Sequence, residues 1–175
     1  MARTETPVCD FGRPAVEFAL PDVEGRIWRL SDVQGEKGTL VMFICNHCPY
    51  VKAIQTRLAK DARILRDDYG LNSIAIMSND PSEYAEDSFD NMKRIAETFD
   101  FPFPYVMDET QEVAQAYGAV CTPDFFGYNA DLKLQYRGRL DASRKETAPE
   151  NVKRDLLDAM IQVAKTGQGP AEQIP

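Results

Sequence analysis

Basic charge, cysteine and histidine are all in short supply in this chain, and each shortage removes a class of function. Lys and Arg total 20 against 28 Asp and Glu, for a formal net charge of −8. A surface that follows nucleic-acid phosphates or anionic lipid needs clustered cations, so neither nucleic acid nor a membrane is an expected partner. No segment approaches the roughly 18 consecutive apolar residues of a membrane-spanning helix. The stretch Met1-Ala2-Arg3-Thr4-Glu5-Thr6-Pro7 has no apolar core of the secretory type, and a cytoplasmic location is the expectation. Four cysteines, Cys9, Cys45, Cys48 and Cys121, are too few to scaffold 175 residues with disulfides. Their expected use is catalytic, regulatory or metal-binding. The single histidine, His47, leaves a Cys–His relay no second candidate. The sequence has no internal repeat.

What is present suffices for one domain: hydrophobic residues make up 43% of the chain, enough for a core at this length. Residues 1–13 read as a polar N-terminal arm, 14–167 as the domain and 168–175 as a C-terminal tail without a packing pattern. Val16–Leu20 and Arg26–Leu30 alternate around Asp22-Val23-Glu24-Gly25 and predict a β-hairpin. The run Leu40–Ile44 is apolar without alternation, as in a strand buried on both faces. Val51, Ile54, Leu58, Leu65 and Tyr69 recur at helical spacing and predict a long helix over 49–69, stopped by Gly70. A second apolar run, 74–77, precedes a helix over 88–99. A short strand (103–106), a short helix (109–117), a hairpin (125–128 with 132–137) and a last helix (149–166) complete an α/β arrangement with a mixed sheet.

The first strand-to-helix junction carries Cys45-Asn46-His47-Cys48-Pro49. Proline is favoured at the first helical position, which puts Cys48 at the cap. Unsatisfied N–H groups and the positive end of the helix dipole lower a thiol's pKa there, and the thiolate is the reactive species. Cys48 is therefore the expected nucleophile. Cys45, at the strand end, is either a resolving thiol or a core residue. His47 is either a turn residue or a cation that stabilises the thiolate. A second site element is Cys121-Thr122-Pro123, with proline at the start of a strand where no ladder donor is needed. Cys9, on the arm, is expected to be peripheral.

These motifs resemble the thioredoxin-fold superfamily and, within it, the peroxiredoxin-like (AhpC/TSA, redoxin) branch. The residues that carry the resemblance are Gly12–Phe18 with Leu20-Pro21-Asp22 and Gly25, the block Cys45–Lys52, and Tyr117–Pro123. Phe125-Phe126, Asp131 and Tyr136-Arg137-Gly138 continue it. The resemblance implies a thioredoxin-like fold: a central mixed β-sheet flanked by helices, with an N-terminal β-hairpin extension. On the thioredoxin pattern Cys48 takes the nucleophile's place, His47 the aromatic position and Val51 the second cysteine's position, while Met42 stands where thioredoxin has a buried acid. On the peroxiredoxin pattern Val41 stands at the proline and Cys45 at the peroxide-binding threonine. The resemblance also implies that Pro123 is a cis-proline facing the nucleophile, which would bring Cys121 near Cys45 and Cys48.

The function expected from this resemblance is a thiol-dependent oxidoreductase of the antioxidant or disulfide-reducing type. Cys48 is the nucleophile, Cys45 or Cys121 resolves, and His47, Pro49, Thr122 and Pro123 contact substrate. The expected partners are an oxidised thiol or peroxide as substrate and a dithiol reductant, and the chain is a monomer or homodimer. No cofactor is expected. The alternatives are a thiol peroxidase proper, or a copper or zinc carrier holding its metal through Cys45, Cys48 and Cys121, with His47 as a further ligand.

Overall fold

A strand whose every residue is apolar must be covered on both faces, and that requirement organises the molecule. A computed structural model describes residues 4–175. The elements in order are β1 (Ala19–Pro21), β2 (Ile27–Arg29), α1 (Leu30–Val33), β3 (Gly38–Phe43), α2 (Pro49–Lys52), α3 (Gln55–Tyr69) and β4 (Leu71–Met77). A 3₁₀ turn (Ala85–Asp87) follows, then α4 (Phe89–Thr98), β5 (Tyr105–Met107), α5 (Glu112–Tyr117), β6 (Asp124–Asn129), β7 (Leu134–Tyr136) and α6 (Asp155–Thr166). β1 and β2 form the expected hairpin, and the other five strands form one sheet in the order β5-β4-β3-β6-β7. β3, β4 and β5 are parallel, while β6 and β7 run antiparallel, so the sheet is mixed.

β3 lies at the centre with every residue buried. Its side chains alternate between two cores. Leu40 and Met42 meet Leu58, Ala62 and Leu65 of α3 and Leu156, Met160 and Val163 of α6. Val41 and Phe43 meet Tyr117, Phe126 and Phe18 on the other face. Gly127 of β6 has no side chain because α6 comes in close: a Cβ there would stand 2.3 Å from the Met160 sulfur. At the end of α3, Gly70 turns the chain at φ 66, the left-handed region glycine adopts without strain.

Three segments differ from the sequence expectation. The helix predicted over 49–69 breaks into α2 and α3 at Ala53 and Ile54. There the Ile54 N–H bonds back to Val51 in a 3₁₀ step, and the Arg57 guanidinium occupies the Ala53 carbonyl at 2.9 Å. The last helix begins at Asp155 rather than at 149, because tertiary partners engage the chain before and at its start. Ala142 N–H donates to Lys153 O, and Leu156 N–H donates to Leu140 O. The tail is packed. Gln173 bridges the open edge of β7, its Oε1 accepting from Arg137 N at 2.8 Å and its Nε2 donating to Gln135 O at 2.8 Å, and Ile174 O accepts from Arg139 N. It covers backbone that an edge strand would otherwise leave open. The first three residues of the expected arm lie outside the described residues. The end of the arm is tied down: Gly12 N–H donates to Leu134 O, and Arg13 reaches Ala116 O.

Candidate active site

Strand register assembles the site. The carboxyl ends of β3, β4 and β5 and the start of β6 meet at one edge of the sheet, the usual place for a site in an open α/β sheet. Phe43 pairs with Asp124 in the antiparallel ladder, and continuing that register sets Cys45 opposite Thr122. The Cys45 Sγ and Thr122 Oγ1 are accordingly 3.4 Å apart. On the other side Phe43 pairs with Ile76, so the same continuation brings Ser78 and Asn79 alongside Cys45 and Asn46.

Cys48 caps α2 in an extended conformation with Pro49 at the first helical position, as the sequence predicts. Its Sγ is 3.3 Å from Thr122 O. The Cys48 thiol is pulled down to about 5, first by a hydrogen bond from the Cys45 S–H, then by Thr122 and the N–H groups of Val51 and Tyr50, against the opposing effect of burial. Cys45 moves the opposite way. Donation to the Cys48 thiolate and burial both hold it protonated. The two thiols are thus shifted in opposite directions, Cys48 toward the thiolate and Cys45 toward the thiol. Cys48 lines a cleft of about 560 Å³ together with Tyr50, Ile54, Thr122, Pro123 and Phe125. Cys45, 1% exposed, lies behind it.

The Thr122–Pro123 peptide bond is cis. The loop that carries it is held by a buried ion pair beneath. Arg137 meets Asp124 at 3.0 Å and donates to Gly118 O at 2.9 Å, while Asp124 accepts from Val120 N. Arg137 also lies over the Phe126 ring, 4.4 Å from its centroid. On the opposite wall, Arg57 reaches from α3 to Asp141 and Ser143 and fixes the loop that follows β7.

Residues 11–140 match the AhpC/TSA family. The chain belongs to that family. Its fold is the thioredoxin-like one that the motifs implied, with the N-terminal hairpin in place. One similar protein is a thiol-disulfide oxidoreductase ResA from Geobacillus thermodenitrificans (strain NG80-2), 30% identical over 75% of this chain and 71% of the relative. Among solved structures, an uncharacterized conserved protein from Geobacillus kaustophilus is 43% identical with a TM-score of 0.92, covering 100% of this chain and 93% of that one. A hypothetical protein from Sinorhizobium meliloti 1021 is 35% identical, also with a TM-score of 0.92, over 99% and 94%. No helix of the described residues is long and apolar enough to cross a membrane.

Within this AhpC/TSA-type site the sequence-derived residues separate. Cys45, Cys48 and Thr122 come together, and His47, Thr122 and Pro123 line the cleft. Pro49 is exposed at the helix start and lies outside the cleft lining. Cys121 lines the cleft too, but its Sγ points to Pro123 O at 3.6 Å, and burial pushes its thiol up to about 12. Cys9 is half-buried, and burial first, then Asp10, raises it to about 11.

The donor set expected for a soft metal is corrected. Among the described residues the three thiols do not form a ligand group; the set that gathers within 4.8 Å is Cys45, His47 and Asp87. In that set the Asp87 carboxylate is already occupied by four donors. Oδ1 accepts from Asn46 N (2.7 Å) and His47 N (3.1 Å), and Oδ2 from His47 Nδ1 (2.5 Å) and Asn79 Nδ2 (3.1 Å). A carboxylate has about four lone-pair sites. This is a saturated hydrogen-bond centre rather than a vacant ligand set.

Asp87 is the functional residue that sequence reasoning missed. It is fully buried at the end of the 3₁₀ turn and clamps the Asn46-His47 bend. Asn46 adds bonds to Glu86 O and from the buried Tyr105 hydroxyl, and Tyr84 stacks on His47 with centroids 3.8 Å apart and planes at 5°. No local pattern marks Asp87. It follows Asp80, Glu83 and Glu86 in a run that reads as a solvated acidic loop.

Proposed function

We propose that the protein is a thiol–disulfide oxidoreductase in which Cys48 attacks a substrate disulfide and Cys45 resolves the product. The observation that carries the proposal is geometric: Cys48 lines the cleft at the start of α2, Cys45 is buried beside it, and both sulfurs meet Thr122, at 3.3 Å and 3.4 Å. Membership of the AhpC/TSA family and relatives named thiol-disulfide oxidoreductase support the oxidoreductase class.

The Cys48 thiolate displaces one thiolate of the substrate and forms a mixed disulfide. Cys45 loses its proton, attacks Cys48 Sγ and releases the second thiolate, which leaves a Cys45–Cys48 disulfide. The substrate has gained two electrons and the pair has lost two; a dithiol reductant restores it. Cleft walls of Tyr50, Ile54, Phe125 and Leu140 suit an apolar segment around the substrate disulfide. Disulfides are favoured over peroxides because a thiol, Cys45, stands where the peroxiredoxin pattern has its threonine. A cytoplasmic location belongs to the same proposal, since a reducing compartment keeps the pair as a dithiol.

The test is disulfide-reductase turnover with a recycling dithiol. Cys48→Ser is expected to fall to the enzyme-free rate and Cys9→Ser to keep the wild-type rate; equal rates in the two variants refute the assignment. Peptide mapping after stoichiometric glutathione disulfide is expected to find Cys45 linked to Cys48. A Cys48–Cys121 link removes Cys45 as the resolving thiol.

A further inference from the structure

Resolution requires the Cys45 proton to leave, and neither Cys48 in the mixed disulfide nor the cis-proline loop offers a base for it. Cys45 must give up a proton to attack the mixed disulfide, yet it is 1% exposed and does not line the cleft. Thr122 Oγ1, the polar atom nearest its sulfur in the cis-proline loop, is a hydroxyl and no base at neutral pH.

On the other side of Cys45 stands His47 with Asp87. A ring nitrogen of His47, a carboxylate oxygen of Asp87 and the Cys45 Sγ all lie within 4.8 Å of one another, a span that one water bridges. His47 Nδ1 and Asp87 Oδ2 are 2.5 Å apart, so the ring is held through that nitrogen against a buried carboxylate. Everything about the ring is arranged to hold it. Its own N–H and that of Asn46 are bound to Asp87 Oδ1, Asn79 Nδ2 supports Oδ2, and Tyr84 covers one face of the imidazole. The His47 side chain is 12% exposed and lines the same cleft as Cys48, so one group touches both the buried thiol's surroundings and the space where substrate leaves.

We propose that the His47–Asp87 pair is the base that takes the Cys45 proton during resolution and returns it to the departing thiolate. This rests on the thiol–disulfide reading above and assigns a role that neither Cys45 nor Cys48 can fill. The Cys45 S–H breaks and its proton goes to the imidazole that lies against the Asp87 carboxylate. The Cys45–Cys48 S–S bond forms, the Cys48–substrate S–S bond breaks, and the leaving thiolate collects the proton at the cleft. The timing is built into the pair. While Cys48 is ionised, its demand for a hydrogen bond keeps the proton on Cys45, and once Cys48 is in a mixed disulfide that charge has gone and Cys45 is released to ionise.

The two chemical steps can be counted separately with one equivalent of 5,5′-dithiobis(2-nitrobenzoate), which releases one coloured thiolate on attack and a second on resolution, with acid-quenched peptide mapping to confirm that the adduct is on Cys48. In the 175-residue chain, Asp87→Asn and His47→Ala both touch the cleft or the bend beside Cys48, so the readout is the ratio of the second release to the first within each variant. That ratio should fall about 100-fold from wild type, the lower end for loss of a general base, with the Cys48 adduct accumulating. Added imidazole is expected to speed the second release in His47→Ala and not the first. A second release within about threefold of wild type in both variants, a loss spread equally over both steps, or indifference to imidazole overturns the proposal. Failure of the wild-type chain to form any Cys48 adduct instead overturns the underlying reading.

Discussion

If the Cys45 S–H is the main reason that Cys48 is ionised, the pH dependence of Cys48 reactivity must carry that signature and must change when the donor is removed. With Cys48 at about 5 and an ordinary thiol at about 8.5, the ionised fractions at pH 6 are about 90% and about 0.3%, a ratio of about 300. The gain is partly lost, because nucleophilicity falls with thiol pKa with a Brønsted coefficient of about 0.4–0.5, a factor of about 25–60 over this interval. Cys48 should therefore react about 5- to 10-fold faster than a free thiol at pH 6 and about 10-fold slower at pH 8, where the free thiol is about a quarter ionised. The rate at neutral pH alone says little; the crossing and the shape are diagnostic. First-step reaction with 2,2′-dithiodipyridine, followed from pH 4 to pH 9, should rise to a plateau with a midpoint near 5 for Cys48. Steric access scales the whole curve and leaves the midpoint unchanged. Cys45→Ala removes the leading cause and should move the midpoint upward, whereas Cys45→Ser retains a donor and should move it less. A midpoint near that of a free thiol in wild type, or an unmoved midpoint in Cys45→Ala, refutes the account.

Two further outcomes concern the scaffold. Arg137→Ala leaves Asp124 as an unpaired buried carboxylate beneath the cis-proline loop, and its urea midpoint should report a loss of about 3–5 kcal/mol. Leu58→Ala opens a cavity where α3 meets β3 and should cost about 2–5 kcal/mol by the same measurement without moving the Cys48 midpoint, since Leu58 is not among the groups that shift that thiol.

The local features were legible because their causes are local. A short continuous apolar run fits a strand buried on both faces, and β3 is one. A proline directly after Cys48 starts a helix and caps it with the thiol. Thr122-Pro123 is a weak signal by itself and gained its meaning from resemblance, not from spacing. The break at Ala53 and Ile54 was illegible because Arg57, a residue that suits any helix, turns back onto a carbonyl that only the folded loop leaves available. The tail looked unstructured because it has no apolar period; one glutamine, Gln173, makes its main-chain bonds to β7.

From its sequence alone this chain determined an acidic α/β domain, the strand–Cys–Pro–helix junction and the nucleophile's place at the helix start, because charge, apolar run length and capping act between near neighbours. Tertiary structure alone decided which groups surround that nucleophile. Cys45 faces Cys48 across a bend whose shape is set by Asp87, and Cys121 turns to its own loop's carbonyl. His47 gains a carboxylate partner that is remote in the chain. Burial separates Asp87 from the other acids of its loop, and burial follows from the packing of β4, β5 and the 3₁₀ turn around the Asn46-His47 bend.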